Sequence, residues 1–289
     1  MLLRLLFFFL LVANCISSNA TEIRIAVSDI LVEHISETIQ RLASSRSTEV
    51  SVLGIGSFPA MESLRSSEIS LAIIATPDGQ KLPDGGFETF VFAYSTSIVA
   101  VSEANPINEI SFSDLRRIFG SASNSIDHTW SVLGINSLAN RPIKPLISQD
   151  GDVGISIELF RHTVLEGKAM KLKVSEIADF EIEEMLVNNA ASIAVLSRLP
   201  NNDKIKYLMV SKDSESPAFG PTNESIFYGD YPIRLPFHIV YKKDTEAELE
   251  EILRILLSDD VTEDLRAAHF FVPPDVVRTS FVKSLDLVD

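Results

Sequence analysis

The chain has 289 residues, 46% hydrophobic and 22% charged, with 12 glycines and 13 prolines. That is enough apolar material for one large domain or two small ones without covalent staples. Its 40 acidic residues against 25 basic ones give a formal charge of −15, which disfavours nucleic acid and anionic lipid as partners, and its single cysteine, Cys15, excludes a disulfide framework.

Arg4 precedes the apolar run Leu5 to Ala13, and Ser18-Asn19-Ala20 places small residues where a signal peptidase inspects them. This predicts an export signal over 1–20, cleaved after Ala20. The run is too short to cross ~30 Å of hydrocarbon. Cys15 lies in "LVANC", a loose likeness of a bacterial lipobox with Asn14 where a small residue is expected, so lipid attachment there stays open. Removing 1–20 takes Arg4 and no acid, leaving 24 bases, 40 acids and a charge of −16. An anion bound by such a chain must be held by local donors.

Beyond residue 20, strand-like apolar runs alternate with amphipathic segments, the rhythm of parallel sheets with crossover helices. "EIRIAVSD" reads as a strand, and Ile30 to Leu42 as a helix with Leu31, Ile35, Ile39 and Leu42 on one face. "EVSVLGIGS" is the next strand; Ser57 is placed to cap the helix after it, Pro59 suits its first turn, and Met61 and Leu64 face inward. "SLAIIATPD" is a third strand, apolar until Thr76. Three strands therefore end beside polar residues.

Ligands of open α/β sheets collect beyond the carboxyl ends of strands, where helix N-termini offer free N–H groups and positive dipole ends. Gly54 and Gly56 would allow close approach. Nucleotide readings fail: a dinucleotide fingerprint needs glycine where Pro59 stands, and no lysine follows as in a P-loop. A nucleophile elbow fails because Ser57 lacks a glycine two positions later. Taken alone, Gly-x-Gly-Ser reads first as a tight turn.

The middle of the chain weighs against that plain reading. In "FETFVFAYSTSIVAVSEANPINEISFSDLRRIFG" an apolar strand leads to an Asn105-Pro106 turn, then to a short helix capped by Ser113 with Leu115, Ile118 and Phe119 inward. This stretch resembles the hinge strand and subsequent helix of the type II periplasmic solute-binding proteins, in their phosphate-binding branch serving ABC importers. "TWSVLG", "RPIKPLISQDGDVGISIELF", "NNAASIAVLS", "YGDYPIRLPFHIVYKK" and "HFFVPP" come in the family's order. The resemblance implies an α/β, two-lobed type II periplasmic-binding-protein fold with two hinge strands and a ligand cleft between the lobes. Lobe 1 would comprise 21–97 and 207–289 and lobe 2 98–206, with crossings near Phe90 to Val101 and near Tyr207.

Carried over one position at a time, the family's ligand-binding residues fall on Ser28 and Asp29 at the first helix, on Gly56 and Ser57 at the second, and on Thr76, where many relatives carry an aspartate or arginine. A fourth site falls on Gly154 and Ser156 at a later helix start. Here the sequence departs from the pattern: no arginine lies between Pro145 and Phe160, while Asp150 and Asp152 stand where anion donors are expected. Hydrogen bonds to charged groups contribute roughly 1.5–3 kcal/mol each, so losing the arginine weakens an oxyanion's binding by about one to two orders of magnitude.

The five histidines, His34, His128, His162, His238 and His269, contain no pair at i, i+4 spacing, so neither a metal nor another cofactor is expected. "EIEE" from Glu181 and "DTEAELEE" from Asp244 read as solvated helix faces, Trp130 as packing within lobe 2, and Arg234 as structural by the resemblance. The reading is an exported, periplasmic and monomeric receptor, not an enzyme, with a small inorganic anion and a membrane ABC permease as partners. The alternative is a sensory or adhesive interaction module on the same scaffold with a vestigial cleft; a hydrolase ranks last, since no motif joins serine, histidine and carboxylate.

Overall fold

The computed structural model describes residues 22–121, 128–148 and 154–286; the expected leader with Cys15, and Asp150 and Asp152, lie outside the described residues. Two five-stranded sheets organise the chain. The first is built from β1 (Ile23–Val27), β2 (Val50–Gly54), β3 (Leu71–Ala75), β4 (Phe87–Thr96) and β12 (Arg234–Lys242), in the order β2-β1-β3-β12-β4. The second contains β5 (Ile98–Ser102), β7 (Lys144–Ser148), β8 (Ser175–Ile177), β9 (Ser192–Leu196) and β10 (Ile205–Tyr207), in the order β10-β5-β9-β7-β8. β6 (Glu109–Ser111) and β11 (Met209–Ser211) form a separate parallel pair.

The helices are α1 (Asp29–Ser45), α2 (Ser57–Arg65), α3 (Phe112–Phe119), α4 (Gly154–Thr163), α5 (Asp179–Asn188), α6 (Asn223–Tyr228), α7 (Glu246–Leu256), α8 (Asp259–Ala267) and α9 (Asp275–Leu285). The stripe predicted for α1 is the buried one: Leu31, Ile35 and Ile39 are fully enclosed, and Ala43 continues it while Leu42 is half-buried. They pack with Ile25, Val27, Ile73 and Ile239 on one face of the first sheet. The opposite face carries Ala26, Ala72, Ile74 and Val240 against Ala60, Met61 and Leu64 of α2. Each enclosed aliphatic side chain contributes about 1.5–3 kcal/mol of burial.

Two caps differ from expectation. Ser111, not Ser113, caps α3: its hydroxyl accepts from the Asp114 N–H at 3.2 Å and donates to Oδ2 of Asp114 at 2.6 Å. Gly56, not Ser57, is the cap position of α2, because the Ser57 hydroxyl turns away to accept from the Ala75 N–H at 2.9 Å.

The chain passes from the first sheet to the second between β4 and β5, with only Ser97 between the strands. It returns after β10 through β11, α6 and β12. Trp130 packs within the second unit, fully buried, its Nε1–H donating to the Ala191 carbonyl at 3.1 Å. The Asn105-Pro106 turn is held by the buried Asn105 side chain, which donates to the Ala190 carbonyl at 2.8 Å and accepts from the Ile107 N–H at 3.1 Å. Among the described residues no helix is long and apolar enough to cross a membrane.

Candidate functional site

Parallel pairing aligns Val27 with Gly54 and with Ile73, so β1, β2 and β3 end at one edge of the first sheet. Backbone bonds fix the residues just beyond each strand. The Ser28 N–H donates to the Ile73 carbonyl at 2.9 Å, the Ile55 N–H to Val27 at 3.0 Å, and the Thr76 N–H to Pro236 at 2.9 Å. Ser28, Ser57 and Thr76, separated by up to 48 positions in sequence, are thereby gathered at this edge.

Their chemistry differs. Ser28 is buried, its hydroxyl donating weakly to Oδ1 of Asp29 at 3.4 Å. Asp29 is exposed in the first turn of α1, so its own carboxylate complements that dipole end. α2 has no acid in its first turn, and its positive end is uncompensated. Ser57 uses an oxygen lone pair on Ala75 and keeps its O–H to donate. Gly54 serves the chain itself, since a Cβ there would meet Cγ1 of Val32 at 2.7 Å. At Gly56 the nearest atom to an added Cβ is Cδ of Pro59 at 3.8 Å, so the approach to the start of α2 is open.

Thr76 carries the decisive observation. It is 4% exposed, and Oγ1 has no hydrogen-bonding partner. Alternation along β3 puts its side chain on the face of Ala72 and Ile74, the α2 side. His238 of β12 pairs with Ile74 on the neighbouring strand, and its Nδ1 is likewise buried and unpartnered. Burial, reinforced by the Arg234 charge and partly opposed by Asp78, pushes the His238 pKa down to about 4. The ring is therefore neutral at neutral pH. Two unsatisfied polar atoms on adjacent strands cost free energy unless something meets them. Sequence reasoning misses His238 as a site residue; its signal is a polar side chain inside the otherwise apolar run "LPFHIVY".

α4 approaches the same edge from the second unit. β12 and β4 pair antiparallel with Arg234 opposite Thr96, which places the β4–β5 crossover beyond the end of β3. Ser156 is buried there and its hydroxyl donates to the Thr96 carbonyl at 2.9 Å, while the Ser97 hydroxyl donates back to the Ser156 carbonyl at 2.6 Å. The Tyr231 hydroxyl donates to the Ser97 carbonyl at 2.7 Å. Since the one Ser156 hydroxyl proton is engaged, what α4 can present to a ligand is backbone N–H at the turn that Gly154 opens. The Thr96 hydroxyl, also buried, has no partner.

Ile155 separates two pockets of the resulting crevice. One, of about 500 Å³, is lined by His34, Ser95 and Ser197, with Glu33 and Asp264. The other, of about 480 Å³, reaches Asp78, His162 and Arg234. The Arg234 guanidinium is occupied: it holds Asp78 through two bonds of 3.2 Å and donates to the Ile226 carbonyl and, at 3.1 Å, to the Phe227 carbonyl. The expectation of a structural role for Arg234 matches these bonds. The described lining of the two pockets sets the hydroxyls of Ser95, Thr163 and Ser197 beside the carboxylates of Glu33, Asp78, Glu158 and Asp264, so any oxyanion would have to be met at the strand-end edge of Ser57 and Thr76, outside the lining of either pocket.

Solved structures share this architecture. A possible phosphate-binding protein from Planctomyces limnophilus superposes with a TM-score of 0.71 at 16% identity, covering 93% of this chain and 99% of its own. The chain has the two-lobed type II periplasmic-binding-protein fold. PstS from Borrelia burgdorferi gives 0.68 at 18% identity over 88% of this chain and 99% of its own. An ABC-type phosphate transport receptor from Vibrio cholerae gives 0.58 at 17% identity over 88% and 100%. No protein-family model and no curated protein matches the sequence. In this fold the two sheets are the cores of the two lobes, joined directly between β4 and β5, and β11 still pairs with β6 before the chain returns to β12.

Proposed function

We propose that this protein is an exported receptor that captures a small oxyanion, phosphate or an analogue, in the interlobe cleft and delivers it to a membrane ABC permease. No covalent bond changes; the protein binds, closes and releases. The carrying observation is the buried, unpartnered Thr76 hydroxyl at the edge where the N-terminus of α2 and the Ser57 O–H also lie. Ser28, Asp29, Gly56, Ser57 and Thr76 would face the ligand from lobe 1 (21–97 and 207–289), and the first turn of α4, Gly154 to Ser156, from lobe 2 (98–206). Location in the periplasm behind a leader of 1–20, and a monomeric state, belong to the same reading. Neutral donors in a closed, dry cleft hold an oxyanion more strongly than they would in water. Without an available guanidinium, affinity falls below that of an arginine-containing site by about one to two orders of magnitude.

One observation favours a second reading, an interaction module with a vestigial cleft: the Ser156 hydroxyl and Arg234 are both occupied within the protein. Thermal unfolding scanned with phosphate, sulfate, arsenate and molybdate separates the two. A ligand at 100 times its dissociation constant stabilises by ~2.7 kcal/mol, so a rise of several degrees with one oxyanion supports the receptor. No response to any of them supports the module.

A further inference from the structure

The pocket of about 480 Å³ on one side of Ile155 begins where the oxyanion edge ends. The bond from the Thr76 N–H to the Pro236 carbonyl continues the β3–β12 pair past the last residue of β3. Pro77 and Asp78 therefore run alongside Leu235 and Arg234, and all four line the pocket. Consecutive Cα atoms lie about 3.8 Å apart, which puts the first wall residue one peptide unit from Thr76. The facing wall is α4: Ile155, Glu158, Leu159, His162 and Thr163 follow the spacing of one helical face. Ser156 pins that helix to the Thr96 carbonyl, opposite Arg234, so each of the two sheets contributes one wall.

The chemistry of this pocket differs from that of the edge. Arg234 holds Asp78 through two bonds of 3.2 Å, and Arg161 holds Glu158 at 2.6 Å, so each carboxylate at the pocket already has a cation. What stays unmatched is apolar: Pro77, Ile155, Leu159, Pro232 and Leu235 are half of the ten described lining residues. The volume lies within the range of about 300–1,000 Å³ that takes organic ligands. A bare oxyanion met by Ser57 and Thr76 has no group to place there.

We propose that the ligand is a singly substituted phosphoryl group, a phosphonate or phosphate monoester with an apolar substituent. Its charged oxygens meet the edge of Ser57 and Thr76, and the substituent lies between α4 and the wall of Pro77 and Leu235. This inference rests on the oxyanion reading above and narrows its ligand. Burial of the substituent supplies affinity that a site without an available guanidinium does not draw from charge. The test is isothermal titration of the purified protein with phosphate, methylphosphonate and phenylphosphonate. Phenylphosphonate should bind about tenfold tighter than methylphosphonate, which shares the charged head and lacks the ring. Thr163→Trp and, at an exposed position of the same face, His162→Trp fill the pocket from α4. Either should remove most of the phenyl advantage and leave phosphate affinity unchanged, while Thr76→Val should weaken all the ligands that bind. Binding of phosphate or methylphosphonate with no gain from the ring overturns this inference and leaves the receptor reading standing. So does a phenyl advantage that survives both tryptophan variants, or phenylphosphonate binding that Thr76→Val spares. Binding of none of the three overturns both readings.

Discussion

Thr76→Val tests the cleft with a swap of nearly equal volume that removes one hydroxyl and opens no cavity. In the free protein Thr76 is 4% exposed and its buried hydroxyl is unpaired, a state that costs about 1–3 kcal/mol. Valine relieves part of it, so the ligand-free variant should be more stable. A gain of about 1 kcal/mol raises Tm by about 2–4 °C in a protein approaching this size. In the bound protein the same change removes a donor to a charged acceptor, about 1.5–3 kcal/mol, and raises Kd by about ten- to a hundredfold. Differential scanning calorimetry without ligand and isothermal titration with phosphate should thus move in opposite directions. An ordinary structural hydroxyl predicts lower stability and unchanged affinity, and that pair of results would refute the role given to Thr76.

Three further substitutions probe neighbouring groups. Ser57→Leu fills the approach to α2 and strips the Ala75 N–H of its partner; the oxyanion-induced Tm rise should vanish, and an unchanged affinity would mean the site lies elsewhere. Ser156→Ala leaves the Thr96 carbonyl without its donor and should cost about 1 kcal/mol in urea unfolding while sparing anion affinity; the reverse pattern would put that hydroxyl on the ligand. His238 has a folded pKa of about 4 against about 6.5 unfolded, so the unfolded chain takes up a proton that the folded one refuses. Stability contributed by the neutral ring is complete above pH ~6.5 and falls by at most about 3 kcal/mol as pH drops toward 4. His238→Leu should flatten that slope, and an identical slope in the variant would contradict the assignment.

The sequence is informative where neighbours in the chain determine structure. The three-to-four spacing of Leu31, Ile35 and Ile39 is the buried stripe of α1 because a helix repeats every 3.6 residues. The runs ending at Val27 and Ala75 are enclosed on both faces over most of their length, which needs continuous apolar sequence, whereas the run ending at Gly54 is an edge strand that stays half-buried to exposed. Side-chain bonding is less legible. Two serines sit near the start of α3, and only geometry shows that Ser111 reaches the Asp114 N–H. Ser156 and Thr96 are 60 positions apart, and Arg234 and Asp78 156 apart; periodicity carries nothing about such pairs. Glu183, within a run read as a solvated face, is 17% exposed and paired with Arg198 at 3.0 Å. Within the cleft, the resemblance leads to Thr76, but the empty valence of its hydroxyl and of the His238 ring emerges only once β3 and β12 lie side by side.

The most direct test is a crystal of the protein saturated with arsenate, with data collected at the arsenic absorption edge. An anomalous peak is expected between the lobes, the anion's oxygens within hydrogen-bonding distance of Oγ1 of Thr76 and Oγ of Ser57. A peak only outside the cleft, or no peak at saturating arsenate, would contradict the assignment of the cleft as an oxyanion site.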